Sequence, residues 1–300
     1  MRIIIDTDNK KMVLEQKDTP RILKFLPRIF YNFHEGSFNF SLFFQRWLDL
    51  LNTVQKDELS KRTQKIHVWH IAAPKSGSTW LTTILTELLH WNVCPLIPEH
   101  NRREQEIETI NLLYSTMQDF CFSPQQHCRY SDSTKRIIET LEIKPVLQYR
   151  NIFDTVISFY DHCNEMKLIF PMAYMDENNW NGLDDTKKLD FVIDLIVPWY
   201  FNFYGGWFSS DLIKDGKILL VSYDDLIADP PKQVKRILDW IGIEKTDDEI
   251  HSSILRAAKK KTRKNVGISG RGAMLSNEQK QKIRNMASYY PRINFSVLGL

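Results

Sequence analysis

Long apolar runs are missing from this 300-residue sequence. No window reaches the roughly 18 uninterrupted apolar residues that a membrane span requires. The start, Met1 to Lys11, sets a short Ile3-Ile4-Ile5 run among charges and lacks the apolar stretch and small-residue cleavage site of a signal peptide. Cysteine is scarce: Cys94, Cys121, Cys128 and Cys163 lie far apart with no CxxC pair. That spacing speaks against a disulfide framework or a zinc knuckle and for free thiols in a reducing compartment. An excess of one charge is also lacking, since 40 basic residues face 37 acidic ones for a net +3. Nothing therefore calls for nucleic acid or an anionic membrane as partner, and any cationic site must be local. Internal repeats and low-complexity segments are absent too. The expectation is a soluble, cytoplasmic protein.

What is present suffices for one sizeable core, with 43% hydrophobic and 12% aromatic residues. Residues 1–65 are expected to form an N-terminal, helical, aromatic-rich extension. Phe25 to Leu51 is dense in aromatics but interrupted by Arg28, His34, Glu35, Arg46 and Asp49. Ser41 can cap a helix in which Leu42, Phe43, Trp47, Leu50 and Leu51 repeat at helical spacing. Packing over the main domain is the plain reading of this stretch; a lid, a homo-oligomer contact or a surface anchor are its alternatives.

From residue 66 the pattern changes. Ile66 to Ala73 is a short, β-rich apolar run that breaks at Pro74 and Gly77, and Thr79 to Trp91 then reads as a helix. Pro145 to Tyr149 repeats the theme, followed by helical spacing through Val156, Ile157, Phe159 and Tyr160. Lys217 to Tyr223 does so again, before Asp229-Pro230-Pro231 and a helix carrying Val234, Ile237, Leu238 and Ile241. Strands alternating with helices predict a three-layer α/β domain over 66–300, with a mostly parallel central sheet flanked by helices.

The turn after the first strand reads Pro74, Lys75, Ser76, Gly77, Ser78, Thr79, Trp80. A glycine, three hydroxyls and a lysine thus stand where a strand hands over to a helix. Glycine lets the backbone approach an anion, the helix start supplies N–H groups and partial positive charge, and lysine adds a mobile cation. The nucleotide triphosphate loop, Gly-x-x-x-x-Gly-Lys-Ser/Thr, places its lysine after the last glycine. Here Lys75 precedes Gly77, and no glycine stands at His70 or Ala72.

These residues resemble the sulfotransferases that use 3′-phosphoadenosine-5′-phosphosulfate, whose loop reads Pro-Lys-Ser-Gly-Thr-Thr-Trp. The match runs through Pro74 to Trp80 with Ser78 in place of threonine. The resemblance implies a P-loop-like nucleotide-binding fold. It also implies a loop that holds the 5′-phosphosulfate, Lys75 at the bridging oxygen and Trp80 near the adenine. Tyr149 to Tyr160 resembles the family's Tyr-Arg-Asn-Pro-x-Asp-x-x-x-Ser-x-Tyr segment, with Ile152 where proline is usual. By that resemblance Arg150 and Ser158 bind the 3′-phosphate, a grip that a triphosphate would not require. Tyr223, in Val-Ser-Tyr-Asp-Asp-Leu, takes the place of a tyrosine that contacts the adenine, and Ser253 and Leu255 weakly resemble two further nucleotide-site residues. Arg263 to Gly272 sits where the family closes an Arg-Lys-Gly-x-x-Gly loop over the 3′-phosphate. Matching Gly267 and Gly270 leaves Arg263, Lys264 and Arg271 as competing cations. The likeness extends over roughly Ile66 to Tyr290.

Transfer of a sulfuryl group to a hydroxyl needs a base, and histidine suits neutral pH. His127, 23 residues before Arg150, stands close to where the resembled cytosolic enzymes carry theirs. Glu99 and His100 are the alternatives. The expected reaction moves a sulfuryl group from this co-substrate to a hydroxyl or amine of a small molecule, without a metal. A kinase of the P-loop type and a non-catalytic nucleotide-binding module are the competing readings. Aromatics such as Phe120, Phe122, Phe170, Tyr174, Trp180, Trp199, Tyr200, Tyr204 and Trp207 either line an acceptor pocket or fill the core, and Phe170 to Leu189 reads as a loop on the acceptor side.

Overall fold

The computed structural model describes residues 2–6, 11–15, 66–96, 107–108, 111–112, 115, 118–166, 173, 175–260 and 269–300. The chain divides into two compact units, Met1–Gln64 and Lys65–Leu300. In the first, β1 (Arg2–Asp6) pairs antiparallel with β2 (Lys11–Glu15). The register sets Arg2 opposite Glu15, Asp6 opposite Lys11, and Ile3 to Ile5 opposite Met12 to Leu14. Such cross-strand pairs fix a register. The expected helix from Ser41 and the aromatic stretch around it lie outside the described residues.

The second unit is an all-parallel, five-stranded sheet in the order β4-β5-β3-β6-β7, flanked by helices. At its centre is β3 (Ile66–Ala72), buried at every position, as expected of a strand with parallel neighbours on both sides. Helix α1 (Ser78–Leu89) follows the phosphate-loop sequence and leads to the short β4 (Asn92–Val93). Trp80, Leu81, Ile84, Leu85 and Leu88 form its inner stripe. That stripe packs with Ile66 and Val68 of β3 and with the helices after β7.

Next comes β5 (Phe120–Gln126), a strand that periodicity alone did not reveal. Pro124 interrupts its pattern, and the register with β3 shifts at this point, between Trp69 and Ile71. A proline inside a sheet needs such an irregularity because it has no N–H to donate. Helix α2 (Asp132–Thr140), capped by Ser131, leads to β6 (Lys144–Tyr149) and then to α3 (Ile152–Met166).

Residues 177–189, part of the stretch expected to be a loop, are largely helical. Asp176 caps α4 (Glu177–Asn181) and Asp184 caps α5 (Asp185–Phe191), each accepting a backbone N–H three residues on. Asn178, Asn179 and Asn181, whose clustering reads by composition as a loop, lie in this capped turn, with Trp180 buried inside it. A wide turn, Val192–Ile196, joins α5 to α6 (Val197–Phe208). Pro198, near the start of α6, has no N–H for the regular ladder, and a π-type turn before it accommodates the loss.

The last strand, β7 (Leu219–Ser222), is shorter than the Lys217 to Tyr223 run. Tyr223 begins a helix, α7 (Tyr223–Ala228), because Ser222 caps it by accepting from the N–H groups of Asp224 and Asp225. Pro230 opens α8 (Pro230–Ile241), Thr246 caps α9 (Asp247–Lys259), and after a 3-10 turn at Arg271–Met274 the last helix is α10 (Asn277–Ala287). No helix among the described residues is long and apolar enough to cross a membrane.

Candidate active site

The loop after β3 combines two left-handed residues, Lys75 at φ 63° and Gly77 at φ 85°. Gly77 is required twice over. Its φ is unfavourable for a side chain, and a Cβ there would lie 2.3 Å from the ring of Tyr223. The loop carbonyls are held one after another. Ala73 O accepts from the Ser76 hydroxyl at 2.7 Å and from its N–H at 3.3 Å. Pro74 O accepts from the Tyr200 hydroxyl of α6 at 2.7 Å. Lys75 O accepts from Arg150 Nη1 at 3.2 Å, Ser76 O from Gln148 Nε2 at 2.8 Å, and Gly77 O from the Trp80 N–H at 3.1 Å. No side chain caps α1, whose positive end therefore faces the loop.

Arg150 directly follows β6 and is buried. Its guanidinium lies 4.2 Å from the centre of the Tyr223 ring, a cation–π stack. Arg150, Tyr223 and the loop from Lys75 to Gly77 are thus one contiguous group. Asn151 supplies the turn that Ile152 leaves without a proline: its Oδ1 accepts from the N–H groups of Phe153 at 2.9 Å and Asp154 at 3.4 Å. Ser158 lies buried further along α3. The Lys75 charge pulls the Cys163 thiol of α3 downward, although burial dominates and pushes that thiol up. Burial likewise raises the Tyr200 and Tyr204 hydroxyls, with the Arg150 charge opposing it at both, so both are neutral donors at ordinary pH.

His127 follows β5, and its Nδ1 lies 2.5 Å from the carbonyl oxygen of Ala72, the last residue of β3. A carbonyl only accepts, so Nδ1 carries the proton and Nε2 is the basic nitrogen of the neutral ring. Glu99, His100, Phe170 and Tyr174 lie outside the described residues. Trp80 is 8% exposed and packs in the core beneath α1. Trp180, Tyr200, Tyr204 and Trp207 are buried as well, whereas Phe120 is exposed beside Trp91.

Of the tail segment, Arg263, Lys264 and Gly267 lie outside the described residues. Arg271 forms an ion pair with Asp161 of α3. Gly270 and Gly272 are held by a residue to which sequence reasoning assigned no role. Asp154 Oδ2 accepts from the Gly270 N–H at 2.7 Å and Oδ1 from the Gly272 N–H at 2.6 Å. Gly272 approaches so closely that a Cβ would fall 2.4 Å from Phe153 Cβ. Asp154 thereby fastens the tail to α3, four residues from Arg150. Its signal in the sequence was an acidic residue inside the Arg150 motif, and the structure shows it buried, at 3% exposure.

A family model described as the sulfotransferase domain matches residues 65–289. The chain belongs to the sulfotransferase family. Flavonol 4′-sulfotransferase of Flaveria chlorifolia is 27% identical over 226 residues, which cover 71% of this chain and 68% of that protein. Sulfotransferase 1A1 of Rattus norvegicus is 22% identical over 216 residues, covering 64% and 65%. The chain spans about two thirds of the length of the curated relatives it matches. Among solved structures, mouse sulfotransferase SULT7A1 complexed with PAP superposes with a TM-score of 0.57 at 15% identity, over 82% of this chain and 88% of that one. That likeness carries the fold: the α/β class expected from the alternating strands and helices is the sulfotransferase fold.

In this sulfotransferase the Asp154 clamp is testable by stability. Asp154→Ala is expected to lower the free energy of unfolding in urea by about 2–4 kcal/mol, since two N–H groups lose a charged acceptor. Asp154→Asn, which keeps one acceptor oxygen, should cost less. A change below about 0.5 kcal/mol for the alanine variant would show that the clamp contributes nothing in solution.

Proposed function

We propose that this sulfotransferase uses 3′-phosphoadenosine-5′-phosphosulfate and moves its sulfuryl group to a hydroxyl or amine of a small molecule, releasing adenosine 3′,5′-bisphosphate. One observation carries the reading: Arg150, the cation of the second motif, donates to the carbonyl of Lys75, the cation of the first. Two cationic grips that belong to one group suit a donor with phosphate groups at both its 5′ and 3′ ends. The relative solved with PAP, mouse SULT7A1, supports the same donor.

In this reading the segment from Lys75 to Thr79 receives the 5′-phosphosulfate, with Ser76, Gly77 and Ser78 at the turn and Trp80 near the adenine. Arg150 and Ser158 take the 3′-phosphate, and Tyr223 flanks the adenine. Arg263 and Lys264 remain candidates to close over the 3′-phosphate, with Gly270 shaping that loop and Arg271 tied to Asp161. Sulfuryl transfer is loose and in-line, so positioning and charge carry most of the catalysis. The acceptor oxygen forms a bond to sulfur, the bond from sulfur to the bridging oxygen breaks, and Lys75 offsets the charge left on that oxygen. The acceptor proton passes to His127 Nε2, the nitrogen that the Ala72 contact leaves basic.

A small-molecule acceptor fits the family, and its chemical class is open between alcohols, phenols and amines. Relatives named cytosolic sulfotransferase in Arabidopsis thaliana support a cytosolic setting. The near-balanced charge supports neither nucleic acid nor membrane as partner. Residues 1–65 are proposed as an accessory extension that packs on the main domain through the aromatic stretch from Phe25 to Leu51, with a homo-oligomer contact as the alternative.

Incubation with sulfur-labelled donor and a panel of small alcohols, phenols and amines should yield a labelled product from at least one class. Binding of the bisphosphate with no product from any class would leave only a nucleotide-binding module. Arg150→Ala is expected to weaken binding of adenosine 3′,5′-bisphosphate about tenfold more than binding of its 3′-hydroxyl analogue, as loss of a charged hydrogen bond implies. Calorimetry that gives equal losses for the two ligands would place the 3′-site elsewhere. His127→Ala should reduce kcat on the order of 10²-fold or more, and an unchanged rate would turn attention to Glu99 and His100.

A further inference from the structure

Two fully buried polar side chains lie in the central strands at the bottom of the loop: His70 in β3 and Gln148 in β6. Both are 0% exposed, as is Ser76 above them. Burying such groups costs free energy unless every partner is in place, so their presence in the sheet calls for an explanation. The contacts form a chain. Thr82 Oγ1 of α1 lies 3.0 Å from His70 Nδ1, His70 Nε2 lies 2.8 Å from Gln148 Oε1, and Gln148 Nε2 donates to the Ser76 carbonyl at 2.8 Å.

With a neutral ring, only one arrangement of protons satisfies all of it. Ser76 O accepts, so the Gln148 amide must present its NH2 there and its oxygen toward His70. His70 must then donate from Nε2 and accept the Thr82 hydroxyl proton at Nδ1. The opposite tautomer would turn the amide over and set two oxygens against each other at Ser76. We infer that His70 is a positioning residue for sulfuryl transfer: through Gln148 it draws the Ser76 carbonyl toward the sheet and so points the Gly77 N–H of the same planar peptide away from it, toward the donor. The planarity of the peptide makes the coupling direct, because C=O and the following N–H are antiparallel. Burial keeps the ring neutral, lowering its pKa to about 4 against the opposing effect of the Gln148 bond. A charged ring would carry protons on both nitrogens, and the Thr82 hydroxyl would have to reverse.

This inference rests on the donor reading of the same loop, but the tautomer can be measured without it. Nitrogen-15 NMR of the ligand-free wild-type chain at neutral pH should show His70 protonated at Nε2 and bare at Nδ1; the reverse assignment overturns the proposal. With adenosine 3′,5′-bisphosphate as probe, His70→Leu should raise the dissociation constant about tenfold, the scale expected when a site group is misplaced by a fraction of an ångström. His70→Gln, which can present an N–H near the Nε2 position, should recover most of that loss. The double variant His70→Leu with Gln148→Leu should bind no worse than Gln148→Leu alone, because the two act as one unit. Additive losses, or a lowered melting temperature with an unchanged dissociation constant, would reduce His70 to a packing residue. Should His70→Leu fail to fold, Thr82→Val removes the hydroxyl donor at a partly exposed site and should weaken binding in the same direction; unchanged binding there counts against the chain of contacts. A wild-type chain that does not bind the bisphosphate overturns the donor reading, and the tautomer then still decides the arrangement at Ser76.

Discussion

The carbonyl oxygens from Ala73 to Gly77 each accept a hydrogen bond, and the rest of the site depends on that. Each donor comes from a different place: the loop's own Ser76, Tyr200 of α6, Arg150 at the end of β6, Gln148 within β6, and the first turn of α1. A loop that binds an anion through its backbone must keep its carbonyls away from the anion. Here donors of the chain itself hold that orientation, so binding has less ordering to accomplish. The arrangement also accounts for Lys75 at φ 63°, a conformation that costs a non-glycine residue on the order of 1–3 kcal/mol. Hydrogen bonds of about 1 kcal/mol each, on both sides of that residue, are enough to offset it.

The fold supplies those donors because the sheet is parallel. Parallel strands bring the ends of β3, β6 and β7 to one edge, and the residues that follow them meet there. Arg150 arrives after β6, Tyr223 after β7, and the loop after β3. Tyr223 then acts twice, as the face on which Arg150 rests and as the wall that admits only glycine at position 77. Substituting that ring would loosen the arginine and the loop together, so the two proposed phosphate grips are mechanically one. Asp154 extends the same group to the C-terminal tail by holding Gly270 and Gly272 against the start of α3.

Much of this was legible in the sequence, and the parts that were not share a physical cause. Local signals gave β3, α1, β6 and α3, since apolar periodicity and a glycine-bearing turn are written in neighbouring residues. The order Lys75 before Gly77, followed by Arg150, was enough to separate a sulfate donor from a triphosphate. What escaped depends on tertiary context. Strand β5 hid behind Pro124, tolerated only because the register with β3 shifts there. The start of α7 at Tyr223 follows from the Ser222 cap, and the helices at 177–191 from caps at Asp176 and Asp184; these are weaker signals than the asparagine-rich composition that argued for a loop. Gln148 and His70 were visible as polar residues in the central strands, but only the sheet order β3-β6 shows that they meet.

The positions of the two histidines at the loop explain how one strand can serve both binding and chemistry. His70 is inside β3 and enclosed, its ring kept neutral by burial. His127 is half-buried at the end of the adjacent strand and held by the carbonyl of Ala72, two residues beyond His70. A charge on His127 disfavours a charge on His70. With His127 as the proposed base, a proton that arrives there meets a neighbour already committed to neutrality, and the peptide orientation at Ser76 and Gly77 is preserved. Were His70 to titrate alongside His127, the proposed donor grip would be coupled to the proposed proton transfer. Burial of His70 separates them.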